Sequence, residues 1–168
     1  MTMMDPMDDT PTDDTMMVDL PVSPSAIVRV GATRYVAFFE SLTPEAVDRL
    51  PEVATEDIHF VDPFNDVVGI AALKRIFSGM YKDLDDPRFR VTHRAFDGDV
   101  CFLRWEFTGR VRRLKRDWPI VGMTELRFAE DGRVREHIDH WDAGRQFHER
   151  LPGIGVLVRW VRKKAGHG

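Results

Sequence analysis

The run that decides the fold is Asp97-Gly98-Asp99-Val100-Cys101-Phe102-Leu103-Arg104-Trp105-Glu106-Phe107-Thr108-Gly109-Arg110. Asp-Gly between apolar runs is a strong hairpin signal. After it, Cys101, Leu103, Trp105 and Phe107 fall on one face of a strand. Phe102, Arg104, Glu106 and Thr108 fall on the other. The spacing predicts a strand over 99–110 returning from one over 88–96. Asp131-Gly132 repeats the signal between runs 117–129 and 133–142. The C-terminal half therefore reads as a four-strand meander. Both faces of 99–110 are apolar enough for burial, so the pattern leaves open which one lines an interior.

Upstream the period changes from two to 3.6. Ser23 or Ser25 can cap a helix over 26–42, with Pro24 tolerated in its first turn. Its stripe is Ile27, Val30, Gly31, Arg34/Tyr35, Phe38 and Phe39. Thr43-Pro44 starts a short helix, 44–50. Residues 56–62 alternate as a strand that ends at Pro63. A third helix, 69–84, carries Ile70, Leu73, Ile76/Phe77, Met80, Tyr81 and Leu84. Helices first and strands last predict an α+β fold. The expectation is a cone: a curved antiparallel sheet on three N-terminal helices, with a pocket at the open end. The divisions are an acidic, disordered tail over 1–23, a domain over 24–148 and an amphipathic basic segment over 149–168.

The chain has 168 residues, enough for one domain with a real core. The net charge of -4 comes from the tail: residues 1–22 hold six Asp and no Lys or Arg. Without them, 22 acidic residues face 24 Lys and Arg, which is no nucleic-acid surface. The single Cys101 allows neither an intramolecular disulfide nor a multi-cysteine zinc site, and its apolar neighbours suit a buried thiol. No apolar leader and no run of about 20 apolar residues is present, so the expectation is a cytoplasmic protein.

The strongest functional signal is Asp62. It follows Ile58 and Phe60 at period two, and a carboxylate on an apolar face is costly unless bonded or used. It reads either as a general base or as the acceptor closing the turn before Pro63, through amides near Asn65. Tyr35, in Arg34-Tyr35-Val36-Ala37, reads as a hydroxyl donor or as a core tyrosine. Arg104 and Glu106 share a strand face and could form a network with Asp139. His137 shares a face with Asp139 and Trp141, while His140 lies opposite, which argues against joint metal binding. His148 reads as surface, and His59 faces away from Asp62. Phe38, Phe60, Phe77, Phe102, Trp118, His137 and Trp141 are the candidate pocket lining.

These segments resemble the nuclear transport factor 2-like superfamily, which includes ketosteroid isomerase, SnoaL-like polyketide cyclases and limonene epoxide hydrolase. The resemblance covers roughly residues 26–148. Arg34-Tyr35-Val36-Ala37 is similar to the segment of the isomerase's oxyanion tyrosine, and Val61-Asp62-Pro63 to that of its base. Thr124 falls near its third residue, a protonated Asp. The resemblance implies that Asp62 removes a proton beside a carbonyl while Tyr35 and Thr124 bind the oxyanion. Similarity to the epoxide hydrolase instead puts Arg104, Glu106 and Asp139 at the positions of its arginine and two acids. It implies water addition to an epoxide.

Three functions follow. The first is acid–base chemistry on an apolar or polycyclic carbonyl compound. The second is epoxide opening, and the third a non-catalytic binding or dimerisation module. No metal or organic cofactor is implied. The expected partners are a small apolar molecule and a second copy of the chain, through an outer sheet face bearing Val134 and Ile138. The run 151–164 combines apolar residues with a basic end. It suits a short helix against the sheet or across the pocket mouth, or a weak membrane-surface contact. The basic loop 111–116 reads as a solvated tip.

Overall fold

The computed structural model describes residues 23–166. The expected disordered tail therefore lies, but for Ser23, outside the described residues.

Helix α1 (Ala26–Glu40) buries Val28, Gly31, Ala32, Tyr35, Val36, Phe38 and Phe39. Its buried stripe is rotated from the expected one: Ile27, Val30 and Arg34 are exposed. The cause is one close approach. A Cβ at Gly31 would collide with the Gly132 carbonyl, so α1 rests its backbone on the Asp131-Gly132 turn. A 3₁₀ helix (Glu45–Glu52) precedes β1 (Ala54–Asp62). A short β2 (Asn65–Val68), unforeseen in the sequence, folds back on β1 through Pro63-Phe64. Helix α2 (Ile70–Asp83) buries Ile70, Leu73 and Phe77, the expected face.

The long strands follow: β3 (Leu84–Asp97), β4 (Val100–Val111), a two-residue β5 (Arg116–Asp117), β6 (Ile120–Phe128) and β7 (Val134–His140). The run expected as one strand over 117–129 is split because Pro119 has no N–H to give the ladder. The sheet order is β2-β1-β7-β6-β4-β3, with β5 beside β4. The meander is antiparallel throughout, and β1 adds to β7 in parallel. The sheet is thus mixed, curved and unclosed, and the fold is α+β. Helix α1 lies against β3, β4, β6 and β7, and α2 against β1 and β3.

The parity of β4 is now fixed. Cys101, Leu103, Trp105 and Phe107 point inward, and Phe102, Arg104, Glu106 and Thr108 outward. Val134, expected on the outer face beside Ile138, is fully buried in the core. A register shift between Arg127 and Phe128 puts it there, and its N–H donates to Val53 O. After β7, Asp142 caps a short α3 (Ala143–Gln146) by accepting from Arg145 N. A 3₁₀ turn (His148–Arg150) leads to α4 (Ile154–Ala165).

Candidate active site

A cavity of about 470 Å³ opens between α1, α2 and the concave face of the sheet. That is within the usual range for small-molecule sites. Its wall is largely aromatic and aliphatic. The charged side chains on it are Asp62, Arg75, Asp83 and Asp139. Phe60, Phe77, Trp118, His137 and Trp141 line it as expected from the sequence. Phe38 is core beneath it, and Phe102 lies on the opposite face of the sheet.

At the inner wall five polar side chains lie in a row. Tyr35 Oη lies 2.7 Å from His137 Nδ1. His137 Nε2 lies 3.0 Å from Asp139 Oδ1, but its N–H is not aimed at that oxygen, so Nε2 has no hydrogen-bond partner. Thr124 Oγ1 donates to Asp139 Oδ1 at 2.5 Å, and Trp105 Nε1 donates to Thr124 Oγ1 at 2.7 Å. An indole N–H can only donate, so Thr124 must accept there and send its one proton to Asp139. Asp139 is thereby held as an acceptor through Oδ1. Oδ2 makes no hydrogen bond among the described residues.

The same logic sets the imidazole. With Asp139 ionised, a bare Nε2 lone pair 3.0 Å from Oδ1 would be repulsive, so Nε2 carries the proton. Nδ1 then accepts from the Tyr35 hydroxyl. Burial, and after it the charge of Asp139, pushes the Tyr35 phenol well above its ordinary value, so it stays protonated. Tyr35, Phe39 and Phe60 box the imidazole ring.

The sequence explains this geometry locally. His137 and Asp139 sit two apart on β7 and share its inner face. Trp105 lies opposite Gly122 in the β4–β6 register. A Cβ at Gly122 would run into the indole ring, so glycine there lets the ring lie over β6 with its N–H on Thr124.

Asp62 also lines the cavity, at the end of β1. Its Oδ1 accepts from Phe64 N and Asn65 N, both at 2.7 Å, and from Asn65 Nδ2 at 3.0 Å. Its Oδ2 lies 3.1 Å from the same Asn65 amide. The carboxylate closes the β1–β2 turn, the alternative that the sequence offered. Arg104 and Glu106 are not brought to Asp139. They lie on the outer face, where Glu106 pairs with Arg90 at 2.9 Å. The arrangement of one arginine between two acids is therefore not assembled.

Thr124, named only through resemblance, sits in the chain as a relay. Trp105, on the same strand face as Cys101, Leu103 and Phe107, is its other half. Phe64 and Phe147 at the mouth were not foreseen, although Phe64 follows a strand-ending Pro, where a turn exposes side chains. Cys101 is fully buried, and burial pushes its thiol up to about 11. Among the described residues no group of three or more His, Cys, Asp or Glu could hold a metal ion.

The chain matches the SnoaL-like domain family over residues 12–137. It belongs to that family. The match stops at His137, just short of Asp139. No curated protein matches the chain in sequence. Solved structures share the fold at low identity. A proposed SnoaL-like polyketide cyclase from Jannaschia sp. CCS1 superposes with a TM-score of 0.61 at 15% identity, covering 71% of this chain and 90% of its own. A protein of ketosteroid isomerase-like fold from Catenulispora acidiphila, solved with trimethylamine, gives 0.59 at 14%, covering 74% and 91%. An LEH-like epoxide hydrolase from M. tuberculosis gives 0.59 at 13%, covering 79% and 96%. This SnoaL-like chain thus has the nuclear transport factor 2-like fold that its segments resemble.

Proposed function

We propose that this SnoaL-like protein transfers a proton to or from a small, largely apolar carbonyl compound, with Asp139 as the acid–base group. The observation that carries the reading is the one-way relay from Trp105 through Thr124 to Asp139 Oδ1. It leaves Oδ2 as the open acceptor on an apolar wall. A positioned base of this kind contributes about 10²–10⁴-fold in rate. Tyr35, kept neutral, holds His137, and His137 places its Nε2–H edge beside the carboxylate. Asp62, engaged by its own turn, shapes the wall. Aromatic lining from Phe39, Phe60, Phe77, Phe89 and Trp105 suits a flat or polycyclic ring system.

The test is hydrogen exchange into the ligand. Steroids and polyketide-like aromatic ketones that raise the thermal midpoint are incubated with protein in D₂O. Mass spectrometry then reads deuterium beside the carbonyl. Wild type exchanges the ligand, and Asp139→Asn binds it without exchange. Exchange at the wild-type rate by Asp139→Asn would sink the proposal. Binding without exchange by wild type would make the chain a binding module.

A further inference from the structure

Helix α4 has its apolar side facing out. Ile154, Val156, Leu157, Trp160 and Val161 are each 51–65% exposed. Its inner side is held by polar ties: Gly155 is buried against Glu149, Arg159 donates to Glu149 O, and Arg162 pairs with the Glu149 carboxylate at 2.5 Å. A surface helix normally turns its charged residues to water and its apolar stripe to the core. Here two of the arginines face the body and large hydrophobic residues face solvent. The last turn adds Lys163 and Lys164, and the Lys164 ammonium lies 5.8 Å from the centroid of the Trp160 ring. Residues 143–166 carry six Lys or Arg and one Glu.

We propose that α4 is an interfacial helix that docks this protein on an anionic lipid bilayer with the cavity mouth beside the surface. The charge decides for an acidic partner. The shape favours a bilayer, because Ile154, Val156 and Trp160 stand on the convex side of the helix, outside the shallow groove that Leu157 and Val161 form with Asp142, Arg145 and Glu149. A tryptophan under a lysine ammonium is the pairing expected at a headgroup boundary, where the ring is buried and the charge snorkels. The helix cannot cross: among the described residues none is long and apolar enough.

The docking end is also the entry. Trp118 Nε1 donates to Gln146 O, Arg150 lies over the Trp118 ring, and Phe147 lines the cavity two residues before Glu149, the anchor of α4. Phe64, 51% exposed, meets Phe147 and Trp141 edge-on. An apolar compound dissolved in the bilayer would meet this aromatic rim without passing through water. The inference stands apart from the proton-transfer reading, since α4 contributes no side chain to the cavity wall.

The test is flotation of the full chain with vesicles of phosphatidylcholine alone or mixed with phosphatidylglycerol. The variants are Leu157→Glu and the double variant Lys163→Glu/Lys164→Glu. All three positions are exposed, and unchanged thermal unfolding verifies the fold. Wild type floats with the anionic vesicles only, and added salt releases it. Each variant lowers the partition coefficient about tenfold. The proposal is overturned if wild type stays unbound, or if both variants float like wild type. It is also overturned if gel filtration without lipid shows a dimer that Leu157→Glu dissociates, since α4 then meets a second copy.

Discussion

Trp105 Nε1 lies 2.7 Å from Thr124 Oγ1, and this bond fixes the direction of every proton up to Asp139. Replacing Trp105 by Phe keeps the ring and removes the donor. Thr124 is then free to turn from Asp139. We expect a loss of about 1–2 kcal/mol in urea unfolding. We also expect slower ligand deuteration at unchanged ligand affinity, because the ring wall remains.

The two cavity aspartates should separate cleanly. Asp62→Ala leaves Phe64 N and Asn65 N without their acceptor. It should cost about 1 kcal/mol of stability while proton exchange into bound ligand persists. Asp139→Asn should do the reverse, with exchange down by at least about 10²-fold and modest change in stability. Unfolding curves and exchange rates on both variants check the pair.

Tyr35 gives a signature in alkali. Its folded pKa is raised above the unfolded value of 10.0. In that window the unfolded chain binds fewer protons, so stability falls as pH rises. The contribution is whole below about pH 10 and is lost as pH climbs through the folded value. Tyr35→Phe lacks it. The destabilisation caused by that substitution should therefore be largest at neutral pH and shrink in alkali, as read by urea unfolding at several pH values.

Gly31→Ala tests the contact between α1 and the β6–β7 turn. The added methyl meets the Gly132 carbonyl, which is backbone and cannot rotate away. We expect a loss of about 1–3 kcal/mol, with displacement of α1 and of the Tyr35 hydroxyl from His137. Thermal unfolding reads the first effect, and the tyrosine absorbance the second.

Much of the fold was legible because it rests on local signals. Asp97-Gly98 and Asp131-Gly132 mark the hairpins, and the change from period 3.6 to two marks the order of layers. Strand β2 was hidden because Asn65 and Asp66 read as turn residues. The α1 stripe slipped because Ile27 and Val30 are as apolar as Val28 and Ala32. What separates them is the packing of Gly31 on Gly132, a contact 101 residues away in the chain. The site was legible in part for the same reason. Parity on β7 puts His137 and Asp139 on one face. Parity on β4 could not say which face was inner, since Phe102 and Leu103 are both apolar, so Arg104 and Glu106 stayed candidates. The role of Trp105 depends on cross-strand register and on Gly122, which no single strand records.

The parallel pairing of β1 with β7 has a consequence for how the site comes into being. The meander β3-β4-β6-β7 closes by hairpins and short connections. His59 to Val61 must find Glu136 to Ile138 across most of the domain, and Tyr35 must reach His137 over 102 residues. Long closures carry the larger entropy and come later in folding. The meander can therefore stand while the cavity is still open on one side, and the site is the first part to come apart. Native-state amide exchange should find β4 and β6 protected longer than β1, with a partly unfolded species that keeps its sheet and has no chemistry.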